Sequence, residues 1–247
     1  LFASSVFGLA ALYADDSLEE APTFAETGGF VLSLEPAFHK LFANCGGNYV
    51  EIDTCADLHN DATGLGRILL KGVPYGLLPA MPFPSEPKYR LDERTRPPAV
   101  PTAIGPRGLA GIANIVPELN VEKETPEEVA WSLTWALDGE KIVQSYELSD
   151  SGLKIRCVRT GGDGKPLPLV FEIPVLHFDG KDSAKWRVDG KIAIGSYKGA
   201  TAEIRSSAEL QYRQDEFANR NGVYRMLTTA APTGTVELFF KSGGLVE

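Results

Sequence analysis

The chain has 247 residues, 43% hydrophobic and 23% charged, with a formal net charge of −9 and a pI near 5.0. That composition is globular and allows a large core. It argues against nucleic acid as a partner: phosphate neutralisation needs a basic stripe, whereas the basic residues are scattered singly, and the densest group, Arg90 to Pro98, is interrupted by acids. No run of about 18 apolar residues occurs, so no membrane span is expected.

In chain order, Leu1, Val6, Leu9, Leu12 and Tyr13 recur at roughly helical spacing and predict an amphipathic or buried helix. The run "ALYA" before Asp15 mimics a secretory cleavage site, but no basic region precedes it. A chain whose helical pattern begins at residue 1 without Met reads as a piece of something longer. Ser17 to Gly29 is a polar linker, and Phe30 to Pro36 reads as a strand. "HKLFAN", Gly46-Gly47 and "NYVEID" read as strand, turn and returning strand. From Gly72 to Pro126 the chain reads as irregular, with nine prolines between Pro74 and Pro106. Proline removes backbone donors and opposes helix interiors and central strands, so long ordered loops are expected.

From Val129 the pattern becomes regular β. Trp131, Leu133, Trp135 and Leu137 alternate with Ala130, Ser132, Thr134 and Ala136, and Asp138-Gly139 follows as a hairpin turn. Further strands are expected in "KIVQSYEL", "LKIRCVR", "PLVFEIPVLHF", "KWRVDG", "KIAIGSYKG", "TAEIRSSAELQYR", "GVYRMLTTA" and "GTVELFFK". Turn signals separate them at intervals of about 8–14 residues, the rhythm of a large antiparallel sandwich. No fixed repeat, P-loop, G-x-G-x-x-G, G-x-S-x-G or H-E-x-x-H occurs.

Candidate chemistry concentrates in Glu51 to Ile68, which holds Asp53, Asp57, His59, Asn60, Asp61 and Arg67. Imidazole serves as a base near neutral pH, so His59 is a candidate catalytic residue; a solvated Asx-rich turn is the plainer alternative. Asp57 and Asn60 beside it are candidate substrate contacts. Arg67, behind two glycines, can grip a carboxylate with its forked guanidinium, or form a surface ion pair. Tyr75 is either a phenolic acid or base in a cleft, or a packing aromatic. The spaced aspartates, with His59 and His177, have the residue types of a divalent site for zinc, calcium or manganese. His39 reads as a satisfied histidine on a half-buried face. Trp131 and Trp135 either stack on sugars or fill the core. Cys45, Cys55 and Cys157 contain no C-x-x-C pair; a Cys45–Cys55 bridge and three free thiols both remain open.

The strand rhythm, above all "KIVQSYELSDSGLKIRCV", resembles the large β-sandwich of mutarotase-like proteins and polysaccharide lyases. "DLHNDATG" is similar to the H-N-D-x-G type loop of heparinase II/III-like lyases. The resemblance implies a mainly β fold, an antiparallel β-supersandwich over 21–247, with 1–20 as a helical segment ending an upstream α/α toroid. It implies β-elimination on a uronic-acid-containing polysaccharide in a secreted or periplasmic setting. His59 would then be the active-site histidine, with Arg67 and Tyr75 beside it. It also implies a structural metal near the sheet, with His59, Asp61 and His177 as the matching types. The usual second histidine of the loop is absent, since Asp57 and Leu58 precede His59. The alternative is a non-catalytic module that binds carbohydrate or braces a neighbouring domain of a larger enzyme. A sugar epimerase of the mutarotase type is a third reading, requiring a histidine and a carboxylate facing each other across a sheet.

Overall fold

The computed structural model describes residues 28–57, 59–82, 84, 102–219 and 221–245, and residues 8, 10–13, 15, 17 and 19 of the amino-terminal segment. The described residues form sixteen strands. They are β1 (Phe30–Ser33), β2 (Lys40–Cys45), β3 (Asn48–Asp53), β4 (Gly64–Leu69), β5 (Gly105–Pro106), β6 (Glu118–Glu124), β7 (Glu128–Leu137) and β8 (Glu140–Ser149). Then follow β9 (Gly152–Gly161), β10 (Leu169–Phe178), β11 (Lys185–Asp189), β12 (Ile192–Tyr197), β13 (Ala200–Ser206), β14 (Leu210–Asn219), β15 (Gly222–Ala231) and β16 (Thr235–Leu245). A 3-10 turn, Leu109–Gly111, lies between β5 and β6.

One sheet has eight strands in the order β11-β12-β13-β16-β9-β8-β7-β6. Facing it are two four-stranded sheets, β1-β2-β3-β4 and β14-β15-β10-β5. These two are continuous through the backbone. Leu65 and Ile104 exchange both hydrogen bonds, at 3.2 and 2.9 Å, and Gly105 and Pro106 pair on into β10. The result is one broad second layer. Its strands lie over the first in matching sequence: β1 and β2 against β6, β7 and β8, β10 and β15 against β16, and β14 against β11. This is the antiparallel sandwich that the alternation from Val129 onward predicts.

Alternation also fixes the core. Trp131, Leu133 and Trp135 on one face of β7 are fully buried, and Tyr146 stacks on Trp131 at 5.0 Å with the rings nearly parallel. Side chains of successive strand residues point to opposite faces. Val31, Leu41, Ala43, Val50, Ile52, Leu65 and Ile68 therefore supply the inner face of the β1–β4 sheet. With both indoles in the core, neither tryptophan is a sugar platform.

Several expectations are corrected. Glu118–Glu124, read as part of an irregular stretch, forms β6 at the sheet edge. Its sequence ELNVEKE shows no apolar face because nearly every side chain is exposed, and charge on an edge strand discourages pairing with other chains. "TAEIRSSAELQYR" is two strands: β13 and β14 belong to different layers. Between them Ser206 Oγ accepts the Ala208 N–H, and Ser207 exchanges bonds with Glu237, so the chain crosses over at the paired serines. In the amino-terminal segment residues 10–13 are helical, but Leu12 and Tyr13 are 79% and 84% exposed. Leu1, Val6 and Leu9 lie outside the described residues, as do Leu58, most of 14–27 and 83–101 apart from Pro84. The three cysteines are free. Cys45 adjoins the Gly46-Gly47 turn and Cys55 follows the far end of β3, so the length of the hairpin separates them.

Candidate functional site

The outer face of the β1–β4 sheet carries a dense polar cluster. Register creates it. Lys40 pairs across to Asp53, Phe42 to Glu51, and Glu51 to Arg67, so these side chains share one face in two adjoining rows. A bulge makes the last pairing possible. Glu51 opposes Arg67 while Ile52 opposes Leu65, which leaves Gly66 as the extra residue. A side chain there would collide with Pro82, since a Cβ on Gly66 would sit 2.7 Å from its ring. Gly66 thus serves the close approach of the 79–82 segment, which accepts the Ile68 N–H through Pro79 O.

Lys40 Nζ lies between three carboxylates. It bonds Asp53 directly, Glu51 Oε1 is 3.4 Å away and Asp61 Oδ2 is 3.6 Å away. Arg67 is held by Glu51 at 2.8 Å and by the Ala80 carbonyl at 3.0 Å. Tyr49 adjoins the same pair, and burial together with Glu51 raises its pKa. Asp53 is only 2% exposed. Burial, helped by the neighbouring Asp61 and Glu51 charges, pushes its carboxyl up to about 7 despite Lys40. Burial opposes the charge on Lys40 as well, but the three carboxylates prevail and raise its pKa. Lys40 and Arg67 bring two positive charges to three carboxylates in a low-dielectric pocket, an imbalance that favours the protonated form of Asp53.

The β3–β4 connection folds over one end of this face. Asp57 Oδ1 accepts the His59 and Asn60 N–H groups at 2.8 and 2.7 Å, and Oδ2 accepts the Asn60 side chain at 2.5 Å. Slight burial works against the Asp57 charge, but these bonds lower its pKa overall. Asp57 is thus the organiser of an Asx turn, and it engages Asn60 as well. Asp61 ties the turn to the sheet through Asp57 N–H at 2.9 Å and through Lys40. His59 is exposed on this turn.

The predicted residues do not gather in one cluster. The loop bearing His59 enters β4, and the loop bearing Tyr75 leaves its opposite end. Six residues at about 3.3 Å each put roughly 17 Å between those loops. Tyr75 is 62% exposed at the end where Leu77 O bonds Leu176 N–H. His177 sits at that same far end of β10 and pairs with Glu216 at 3.4 Å. The His59, Asp61 and His177 set is therefore split between opposite ends of the layer. Among the described residues no group of three or more His, Cys, Asp or Glu is arranged to hold a metal ion.

His39 Nδ1 is 2.6 Å from Glu35 Oε2, and Thr54 Oγ1 donates to the other Glu35 oxygen. It is a satisfied histidine. Sequence reasoning named Asp53 and Asp61 only as part of an acidic set and passed over Lys40 and Glu51. The available signal was alternation: K-x-F and E-x-D on two strands of one tight hairpin share a face.

At the opposite, Gly46-Gly47 end, the same outer face turns apolar. Phe30, Val31, Leu32, Phe42, Asn44, Tyr49 and Leu69 line an open groove of about 750 Å³. Compared with known proteins, the chain matches no family model and no curated sequence.

Proposed function

We propose that the chain is the sheet domain of a polysaccharide lyase that acts by β-elimination on a uronic-acid-containing glycan, with its saccharide at the charged end of the β1–β4 face. The carrying observation is that Arg67 and Lys40 share that face, with the His59 turn folded over its edge. In the reaction a base takes the proton α to the sugar carboxylate, the β carbon–oxygen bond breaks, a double bond forms between the two carbons, and the departing oxygen takes up a proton to leave as a hydroxyl. Cations beside the carboxylate stabilise the enolate that develops, an electrostatic contribution that usually dominates such chemistry. The raised Asp53 pKa supports an anionic ligand: in the protonated form of Asp53, Lys40 and Arg67 balance Glu51 and Asp61.

His59 is assigned the proton transfer and Arg67 the carboxylate. Tyr75 is left out, because β4 stands between it and the His59 turn. The test is ultraviolet absorbance of the unsaturated product when the full-length protein meets uronate polysaccharides. His59→Ala should cut turnover by about 10²–10⁴-fold, the range for one general acid or base. Wild-type turnover in that variant would remove His59 from the mechanism. The non-catalytic carbohydrate-binding module is the second reading, favoured by the separation of Tyr75 and by the salt bridge that occupies Arg67. Saccharide binding without any product from the wild type would establish it.

A further inference from the structure

The apolar end of the β1–β4 face is a surface built to be covered. Leu32 on β1 is 45% exposed, and Phe42, Tyr49 and Leu69 beside it are only half-buried. Phe42 and Tyr49 stack across the strands at 6.2 Å and present a smooth aromatic ledge. The groove above them has almost no polar lining; Asn44 is its one amide. Contiguous apolar surface of this kind on a folded domain marks an interaction site. The charged cluster begins where the groove ends, with Phe42 and Tyr49 bordering both.

We propose that the segment preceding Gly28, residues 1–27 of this same chain, docks its helical portion in this groove. Two observations converge on that occupant. The first is position. β1 is the edge strand, and its first residue, Phe30, is also a lining residue of the groove. Phe30 pairs with Asn44 beside the Gly46-Gly47 turn, so the chain enters the sheet at its apolar end. The second is chemistry. Residues 10–13 are helical, and Leu12 and Tyr13 on them are 79% and 84% exposed. With Leu1, Val6 and Leu9 they make a stripe at helical spacing. The chain thus carries an apolar pattern at helical spacing, with Leu12 and Tyr13 exposed, and an apolar sheet groove, with Leu32 exposed, on one covalent chain.

The tether fits. Fourteen residues, Ala14 to Thr27, separate Tyr13 from Gly28. Fourteen residues reach at most about 50 Å when fully extended. A four-stranded sheet is about 19 Å wide at its strand spacing. That reach exceeds the sheet width, so docking is intramolecular and a modest apolar contact suffices to keep the groove occupied.

The experiment compares protease cleavage within residues 1–27 in the full-length protein and in a Leu32→Ser/Phe42→Ser variant, with solution mass measured alongside. Both side chains are on the outer face, so the variant keeps the core and should melt with the wild type. Docking predicts cleavage at least about tenfold faster in the variant. Deleting residues 1–27 should raise the fluorescence of an apolar-surface dye severalfold, and the two serines should abolish that rise. Equal cleavage rates, or dye fluorescence unchanged by the deletion, would overturn the proposal. So would a wild-type dimer that the two serines dissociate, since a second copy would then be the occupant.

Discussion

Replacing Asp53 by Asn tests the electrostatics of the charged cluster directly. The Asp53 carboxyl moves from an ordinary value of 3.8 to about 7 because it is buried and shares one ammonium with Glu51 and Asp61. A carboxyl with a raised folded pKa binds its proton more tightly in the folded state. Its stabilising contribution is fully present below pH 3.8, falls as pH rises, and is gone above about pH 7. At about 1.4 kcal/mol per pH unit, the span amounts to roughly 4 kcal/mol at most. Asn has nearly the same shape, and it cannot ionise. Wild type and Asp53→Asn should therefore have similar stability near pH 4, where both are neutral at this position. By pH 8 the variant should be the more stable, by up to about 4 kcal/mol, which is roughly 8–16 °C in Tm for a domain of this size. Denaturant unfolding of both proteins between pH 4 and 8 measures the difference. Parallel curves, or a variant that weakens relative to the wild type as pH rises, would mean that Asp53 is ionised and tightly paired with Lys40, and the reasoning would fail.

Two further outcomes follow from local geometry. Gly152 and Gly139 both have positive φ, at 132° and 73°, but a Cβ on Gly152 would lie 2.1 Å from the Phe240 carbonyl oxygen, whereas one on Gly139 meets nothing within 4 Å. Gly139→Ala should cost about 1–2 kcal/mol, the left-handed penalty alone, and Gly152→Ala roughly 3–5 kcal/mol, read by chemical denaturation; equal costs would contradict the register of β9 and β16. Native thiol labelling should modify Cys55 first. Cys45 and Cys157 are fully buried, burial raises both thiols, and that of Cys157 is pushed up to about 12. Labelling of Cys157 at the rate of Cys55, followed by mass spectrometry, would show that the sandwich opens there.

Local pattern carried much of the architecture. The β2–β3 hairpin was legible from Gly46-Gly47 between two apolar runs, and β7 to β9 from alternation with Asp-Gly punctuation, because a strand with one buried face writes its period of two into the sequence. Where burial is absent the writing stops. β6 is exposed on nearly every side chain, and the β13–β14 corner is marked only by paired serines. Sequence also placed His59, Asp57 and Asn60 in one polar turn, and the structure shows Asp57 organising it. What only the tertiary structure decided is which distant residues meet. Arg67 faces Glu51 because one bulge at Gly66 shifts the register, and Lys40 faces Asp53 because of hairpin pairing. Tyr75 and His177 fall at the far end of the layer because β4 and β10 run in the same direction through the short β5 bridge. Periodicity assigns a residue to a face; the order and register of strands, set by the packing of the whole sheet, determine its neighbours.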